Sequence, residues 1–189
     1  MRKLVFITSN EHKFREAREI LKEYNIKLER LSMPVEEIQA DSIEEVAYHS
    51  MKSLVDRKII PAMAFLEDAG LFIRALKGFP GVYSAYVYKT IGCRGILKLM
   101  ENVKDRYAEF RSAVALYDGK SIHVFTGVCK GTIGFEERGS AGFGFDPIFV
   151  PEGYNKTYAE LGEEIKNKIS HRSRAILSMV KYLVDYLKF

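Results

Sequence analysis

The sequence predicts an α/β protein built on a mixed β-sheet. Short apolar runs alternate with segments of helical period from the N-terminus onward, the pattern of strands joined through helices. Two strand-like runs, 107–117 and 121–130, meet at Asp118-Gly119, a strong hairpin signal that makes part of the sheet antiparallel. At 189 residues the chain can bury a core without disulfides or a structural metal.

Taken in order, residues 2–8 read as a short buried strand. A helix follows from about Glu11 to Tyr24, with Phe14, Ala17, Leu21 and Tyr24 on one face. Residues 26–32 alternate as a strand does, and 42–57 read as a helix opened by Ser42 and Glu45 in a capping-box pattern. Ala62 to Leu66 is an apolar strand ending in Glu67-Asp68. Gly70 is expected to break it before Leu71 to Ile73 resume. Gly78, Pro80 and Gly81 make a turn-rich loop, and Ile91 to Met100 reads as helix. After the hairpin, 138–147 is glycine-rich and aromatic. A last helix begins at about Ser170 with Ile176, Met179, Val180, Leu183 and Leu187 inward. With no linker or repeat, residues 1–189 read as one domain.

Composition narrows the function classes. Hydrophobic residues are 47% and charged residues 29%, ordinary for a globular protein in water. No apolar run approaches the ~18 residues of a membrane span. Leu4 to Ile7 is too short for a signal peptide, so a cytoplasmic location is expected and no membrane partner. Cys93 and Cys129 form no CxxC and read as incidental thiols of a reducing compartment. The net charge of +4 is spread along the chain, which predicts no stable nucleic-acid complex but suits a small polyanionic ligand. The four histidines make no zinc spacing, and P-loop, dinucleotide GxGxxG and GxSxG motifs are absent. Hydrolysis assisted by a metal on carboxylates is the chemistry left standing.

Four clusters could carry it. Thr8-Ser9-Asn10-Glu11-His12-Lys13 leaves a strand and enters a helix, where backbone N–H groups can bind an anion. Lys13 opposes the helix dipole there, so its removal is expected to change stability little or to raise it. The same stretch also fits a plain loop with Asn10 as N-cap. Glu67-Asp68, followed by Ala69, ends a strand where carboxylates could hold Mg²⁺ and activate water, or form an exposed acidic turn. Glu36-Glu37 is a weaker acidic pair. Gly142-Phe143-Gly144-Phe145-Asp146 offers close backbone approach and flat faces for a base, or a tight turn over the core. Asp146 there could accept from a base edge or orient a neighbouring cation. Lys166 with Ser170-His171-Arg172 puts cations near the start of the last helix, with Ser170 as N-cap.

In this order the segments TSNEHK, FLEDAGL, FPGVYSA, GFGFDPIF and EEIKNKISHRSRA resemble the inosine triphosphate pyrophosphatase family, which acts on non-standard purine nucleoside triphosphates. The resemblance spans nearly the whole chain. It implies two lobes around a central nucleotide cleft, a homodimer, and hydrolysis of ITP, dITP and XTP to monophosphate and pyrophosphate with Mg²⁺. Carried over, Thr8, Ser9, Asn10, Glu11, His12 and Lys13 would hold the triphosphate. Glu37 and Asp68 would bind the metal beside Glu67, with Asp68 the proton acceptor, and Ala69 would contact substrate. Phe143, Gly144, Phe145, Asp146, Lys166, His171 and Arg172 would form the base pocket, with Lys166, a protonated His171 or Arg172 donating to the purine 6-oxo group. Ser9 and Phe145 depart from the family pattern, where Gly and Tyr or Trp are usual. The alternatives are a related pyrophosphatase for other modified nucleotides and a non-catalytic nucleotide- or RNA-binding module. The paired carboxylates speak against the latter, since they repel a polyanion unless a metal intervenes.

Overall fold

A computed structural model describes residues 2–188; the two end residues of the span read as one domain lie outside it. Six strands form one mixed sheet: β1 (Arg2–Ile7), β2 (Ile26–Leu31), β3 (Ala64–Ile73), β4 (Tyr107–Tyr117), β5 (Ile122–Ile133) and β6 (Phe149–Pro151), in the order β2-β1-β3-β4-β5-β6. β1 pairs in parallel with β2 and β3, and the remaining pairs are antiparallel. The helices are α1 (Glu11–Lys22), α2 (Ile43–Asp56), α3 (Ser84–Thr90), α4 (Gly92–Leu99), α5 (Tyr158–Ile169) and α6 (His171–Asp185).

The apolar periodicity decides which faces are buried. Ala17, Ile20 and Leu21 of α1 pack with Ile176, Met179, Val180 and Leu183 of α6 against Leu4, Phe6, Phe65 and Val114 of the sheet. A second cluster sets Ala47, Met51 and Leu54 of α2 against Ile7, Ala64, Leu66, Ala113 and Ala115, which alternate with the first set along the strands. A third forms the other lobe, where Val87 and Ile96 of α3 and α4 meet Leu71, Ile73, Phe110, Phe145, Phe149 and Tyr158. The cleft opens between these lobes.

Four local expectations change. β3 is not broken at Gly70 but runs ten residues through it. A Cβ there would sit 2.2 Å from the Gly81 carbonyl oxygen, so the glycine admits a neighbouring turn rather than ending the strand. Residues 84–99 hold two short helices instead of one starting at Ile91. β6 and α5 have no counterpart in the sequence reading. α5 is opened by a capping box between Thr157 and Glu160 and kinked at Gly162, which takes φ 78°. Ser42 and Ser170 cap α2 and α6, each accepting from the backbone N–H three residues on.

Candidate functional site

A cleft of about 1150 Å³ lies between the lobes. Its floor is the middle of β3, where Glu67 and Asp68 follow the buried Phe65 and Leu66. One wall is the β1–α1 turn. There Asn10 caps α1 by accepting from the Lys13 N–H at 3.1 Å, and the Asn10 N–H donates to the Thr8 hydroxyl. The opposite wall is the 142–146 turn, which Gly142 makes possible at φ 78°. A Cβ there would fall 2.1 Å from an Asp146 carboxylate oxygen. The start of α6 closes the back.

The cleft gathers Thr8, Ser9, Asn10, His12, Lys13, Glu37, Glu67, Asp68, Ala69, Phe143, Gly144, Phe145, Asp146, Lys166, His171 and Arg172 along its lining. Glu11 is not brought there: its carboxylate pairs with Arg30 on an exposed face. Glu16, which the sequence reading passed over, belongs with the group. It sits one helical turn beyond Lys13 on α1 and is 3% exposed. Its position three residues after Lys13 and four before Ile20, on the side of α1 that carries apolar residues, was the available signal.

These side chains form one ionic network. Lys166 Nζ lies 2.6 Å from Asp146 Oδ2 and 2.8 Å from Glu16 Oε1. Arg172 Nη1 donates to Glu16 Oε2, and its Nε lies 3.2 Å from Glu67 Oε1, an ion contact without hydrogen-bond geometry. Lys13 Nζ is 3.0 Å from Glu67 Oε2 and donates to the Glu67 carbonyl, while Ser112 Oγ donates to Glu67 Oε1 at 2.7 Å. Burial alone would raise the Glu67 carboxyl, but the charges of Arg172 and Lys13 and the Ser112 hydroxyl hold it well below the usual range.

Asp68 has no such partner. Burial pushes its carboxyl up to about 7; Lys13 opposes the rise, and the negative charges of Glu37 and Glu67 add to it.

Several expectations are corrected here. Arg172 and Lys166 line the cleft but are each 2% exposed and tied into ion pairs, so they brace the pocket and are not the free cations the sequence suggested. Burial, then the adjacent Arg172 charge, holds the His171 imidazole neutral, and it stacks on Phe110 with ring centroids 4.7 Å apart. Phe145 is 3% exposed and belongs to the core, which leaves Phe143 as the flat face of the turn. Asp146 accepts from the Phe143 N–H at 2.9 Å and orients Lys166, the second of its two expected roles. Lys13 is engaged with Glu67, so its removal is expected to cost stability, contrary to the reading from the helix dipole alone.

Four buried polar atoms in the cleft lack a hydrogen-bond partner: Glu67 Oε2, Asp68 Oδ2, His171 Nδ1 and Arg172 Nε. Glu67 Oε2 and Arg172 Nε still have ion contacts, to Lys13 and to Glu67, which leaves Asp68 Oδ2 and His171 Nδ1 with neither. Buried polar groups are nearly always satisfied, so these two mark a place for a polar ligand. A second depression of about 610 Å³ lies near β4 and β5. Arg106 there is committed to the carbonyls of Met100, Ile133 and Gly134, and Arg74 to Asp105, so these two guanidinium groups are already used.

The Ham1 family model matches residues 4–182, nearly the entire chain. The chain belongs to the Ham1 family. Among its relatives, the dITP/XTP pyrophosphatase of Thermococcus kodakarensis is 51% identical over 186 residues, covering 98% of this chain and all of that protein. That of Methanothermobacter marburgensis is 52% identical, with 97% of each chain covered. The structure of a HAM1 protein from Coxiella burnetii superimposes with a TM-score of 0.80 at 30% identity, over 95% of this chain and 98% of that one. The Ham1 fold thus accounts for the mixed sheet, its flanking helices and the cleft between lobes. Among the described residues of this Ham1 chain no three His, Cys, Asp or Glu side chains cluster as a metal nest. None of its helices is long and apolar enough to cross a membrane.

Proposed function

We propose that this chain hydrolyses dITP, ITP and XTP to the nucleoside monophosphate and pyrophosphate, using Mg²⁺ held by Glu37 and Asp68. The observation that carries the reading is the buried, unpartnered Asp68 Oδ2 beside Glu67 in a cleft that otherwise pairs its charges. Carboxylate oxygens with no protein cation against them are the donor set Mg²⁺ takes, one or two at a time, with water and substrate phosphate completing its shell. When bound, the ion supplies charge neutralisation on the polyphosphate.

The chain's own residues do the rest. The N–H groups at the start of α1 and the Lys13 ammonium receive the phosphates, the latter while also compensating Glu67. Asp68 is the base that takes the proton of the attacking water; burial and the charges of Glu37 and Glu67 raise its carboxyl in the metal-free cleft, and a Mg²⁺ beside it would favour the ionised form that a base needs. Phe143 gives the purine a stacking face, and the Glu16–Lys166–Asp146 network holds that turn at its height. In this reading the enzyme works in the cytoplasm as a homodimer and clears non-standard purines from the nucleotide pool. The test is one assay with dITP, XTP and ATP, with Mg²⁺ or with EDTA, resolving pyrophosphate from orthophosphate. Monophosphate plus pyrophosphate is expected, lost in EDTA and restored by Mg²⁺. Orthophosphate as first product, or full turnover in EDTA, overturns it.

A further inference from the structure

The face of Phe143 is already covered. The His12 imidazole stacks on it with ring centroids 5.1 Å apart and planes 23° from parallel. Lys166 Nζ and the Arg172 guanidinium carbon also lie over the ring, at 4.6 and 5.5 Å. Those two cations are buried and ion-paired on both sides, so neither can leave without stranding a carboxylate. His12 differs. It stands exposed in the first turn of α1, and its Nδ1 accepts from Arg15 at 3.2 Å. Arg15 in turn pairs with Glu163 at 2.6 Å, the residue after the kink at Gly162 of α5. Of the groups on Phe143, His12 alone is both flat and free to rotate into solvent.

We propose that His12 is a displaceable cover on the base-stacking face, held by Arg15 and Glu163, and not a ligand of the triphosphate. This rests on the reading of the cleft as a nucleotide site. An entering purine exchanges one π-stack for another, so the cover sets an affinity threshold that every base meets equally. It keeps an aromatic surface from standing bare and weakens nucleotide binding by the strength of the stack it must replace. Aromatic pairs of this kind correspond to about two- to tenfold in an equilibrium constant.

The test compares wild type, His12→Ala and His12→Phe in steady-state hydrolysis of dITP and ATP. Removing the cover is expected to lower KM by about two- to tenfold for both nucleotides. The fall should be by a common factor, with kcat moving less than about twofold, the pattern of uniform binding. His12→Phe, a stronger and apolar cover, is expected to restore or exceed the wild-type KM. A raised KM in His12→Ala would make the imidazole a substrate ligand, and an unchanged KM would mean that it does not compete; either result overturns the proposal. Proton NMR separates this from the parent reading. In the free protein the His12 ring protons should be shifted by the Phe143 ring current, and adding dIMP should abolish the shift. Loss of the shift together with the wrong hydrolysis products would sink the pyrophosphatase reading and leave the cover standing. A shift that persists in saturating dIMP would refute the cover itself.

Discussion

Replacing Arg172 with methionine tests whether the network braces the pocket. The guanidinium is fully enclosed and lies against Glu16 and Glu67, both buried carboxylates held below their usual range. Arg172→Met keeps most of the volume but leaves Glu16 with Lys166 alone and Glu67 with Lys13 and Ser112. Removing one partner of a buried ion pair costs about 3–5 kcal/mol, because the remaining charge stays out of water uncompensated. For a chain of this size, each kcal/mol moves Tm by roughly 2–4 °C, so a fall of about 6–20 °C is expected. Guanidinium denaturation of wild type, Arg172→Met, Glu16→Gln and the double variant measures it. The double variant should lose less than the sum of the singles, since opposite charges leave together, with a coupling of roughly 1–3 kcal/mol. Additive losses, or less than about 1 kcal/mol for Arg172→Met, would show that the pair is hydrated and the bracing argument wrong.

Asp68→Asn should lower kcat by roughly 10²–10⁴-fold while the protein still folds; activity within a few-fold of wild type would move the base to Glu67. In EDTA the same variant should change the pH dependence of stability. Asp68 holds its proton more tightly folded than unfolded, so it stabilises fully below about 4 and that contribution is lost as pH rises through about 7. The buried neutral His171 acts in the opposite sense, its penalty easing as pH rises, so the wild-type minus variant difference in Tm is the quantity to follow; it should fall, the wild type losing ground to Asp68→Asn, between those pH values. Lys13→Ala should weaken nucleotide binding and also lower Tm by a few degrees, since it removes a cation from the buried Glu67; an unchanged Tm would mean that water replaces it freely. Phe143→Ala should raise KM for dITP, XTP and ATP by a similar factor, about tenfold, because stacking does not distinguish bases; a loss confined to one base would give the ring a selective role.

How much of this was legible beforehand divides along the range of the interactions. Local signals carried far: the strand entering α1, Asn10 and Ser170 as caps and the Asp118-Gly119 hairpin depend on residues a few positions apart, and so were readable from spacing. The order of the motifs likewise pointed to the family. Gly70 misled because its reason, the Gly81 carbonyl pressed against it, lies in another turn. Charge was misread for the same cause. Lys166, His171 and Arg172 look in sequence like free donors, and only the packing of α1, α5 and α6 brings Glu16 beneath two of them and buries the third neutral. Protonation and pairing follow from distance and desolvation across the whole fold. The sequence determined which chemistry was present. The tertiary structure decided which charges were already satisfied, left the Asp68 Oδ2 atom without a partner, and laid His12 on the Phe143 ring.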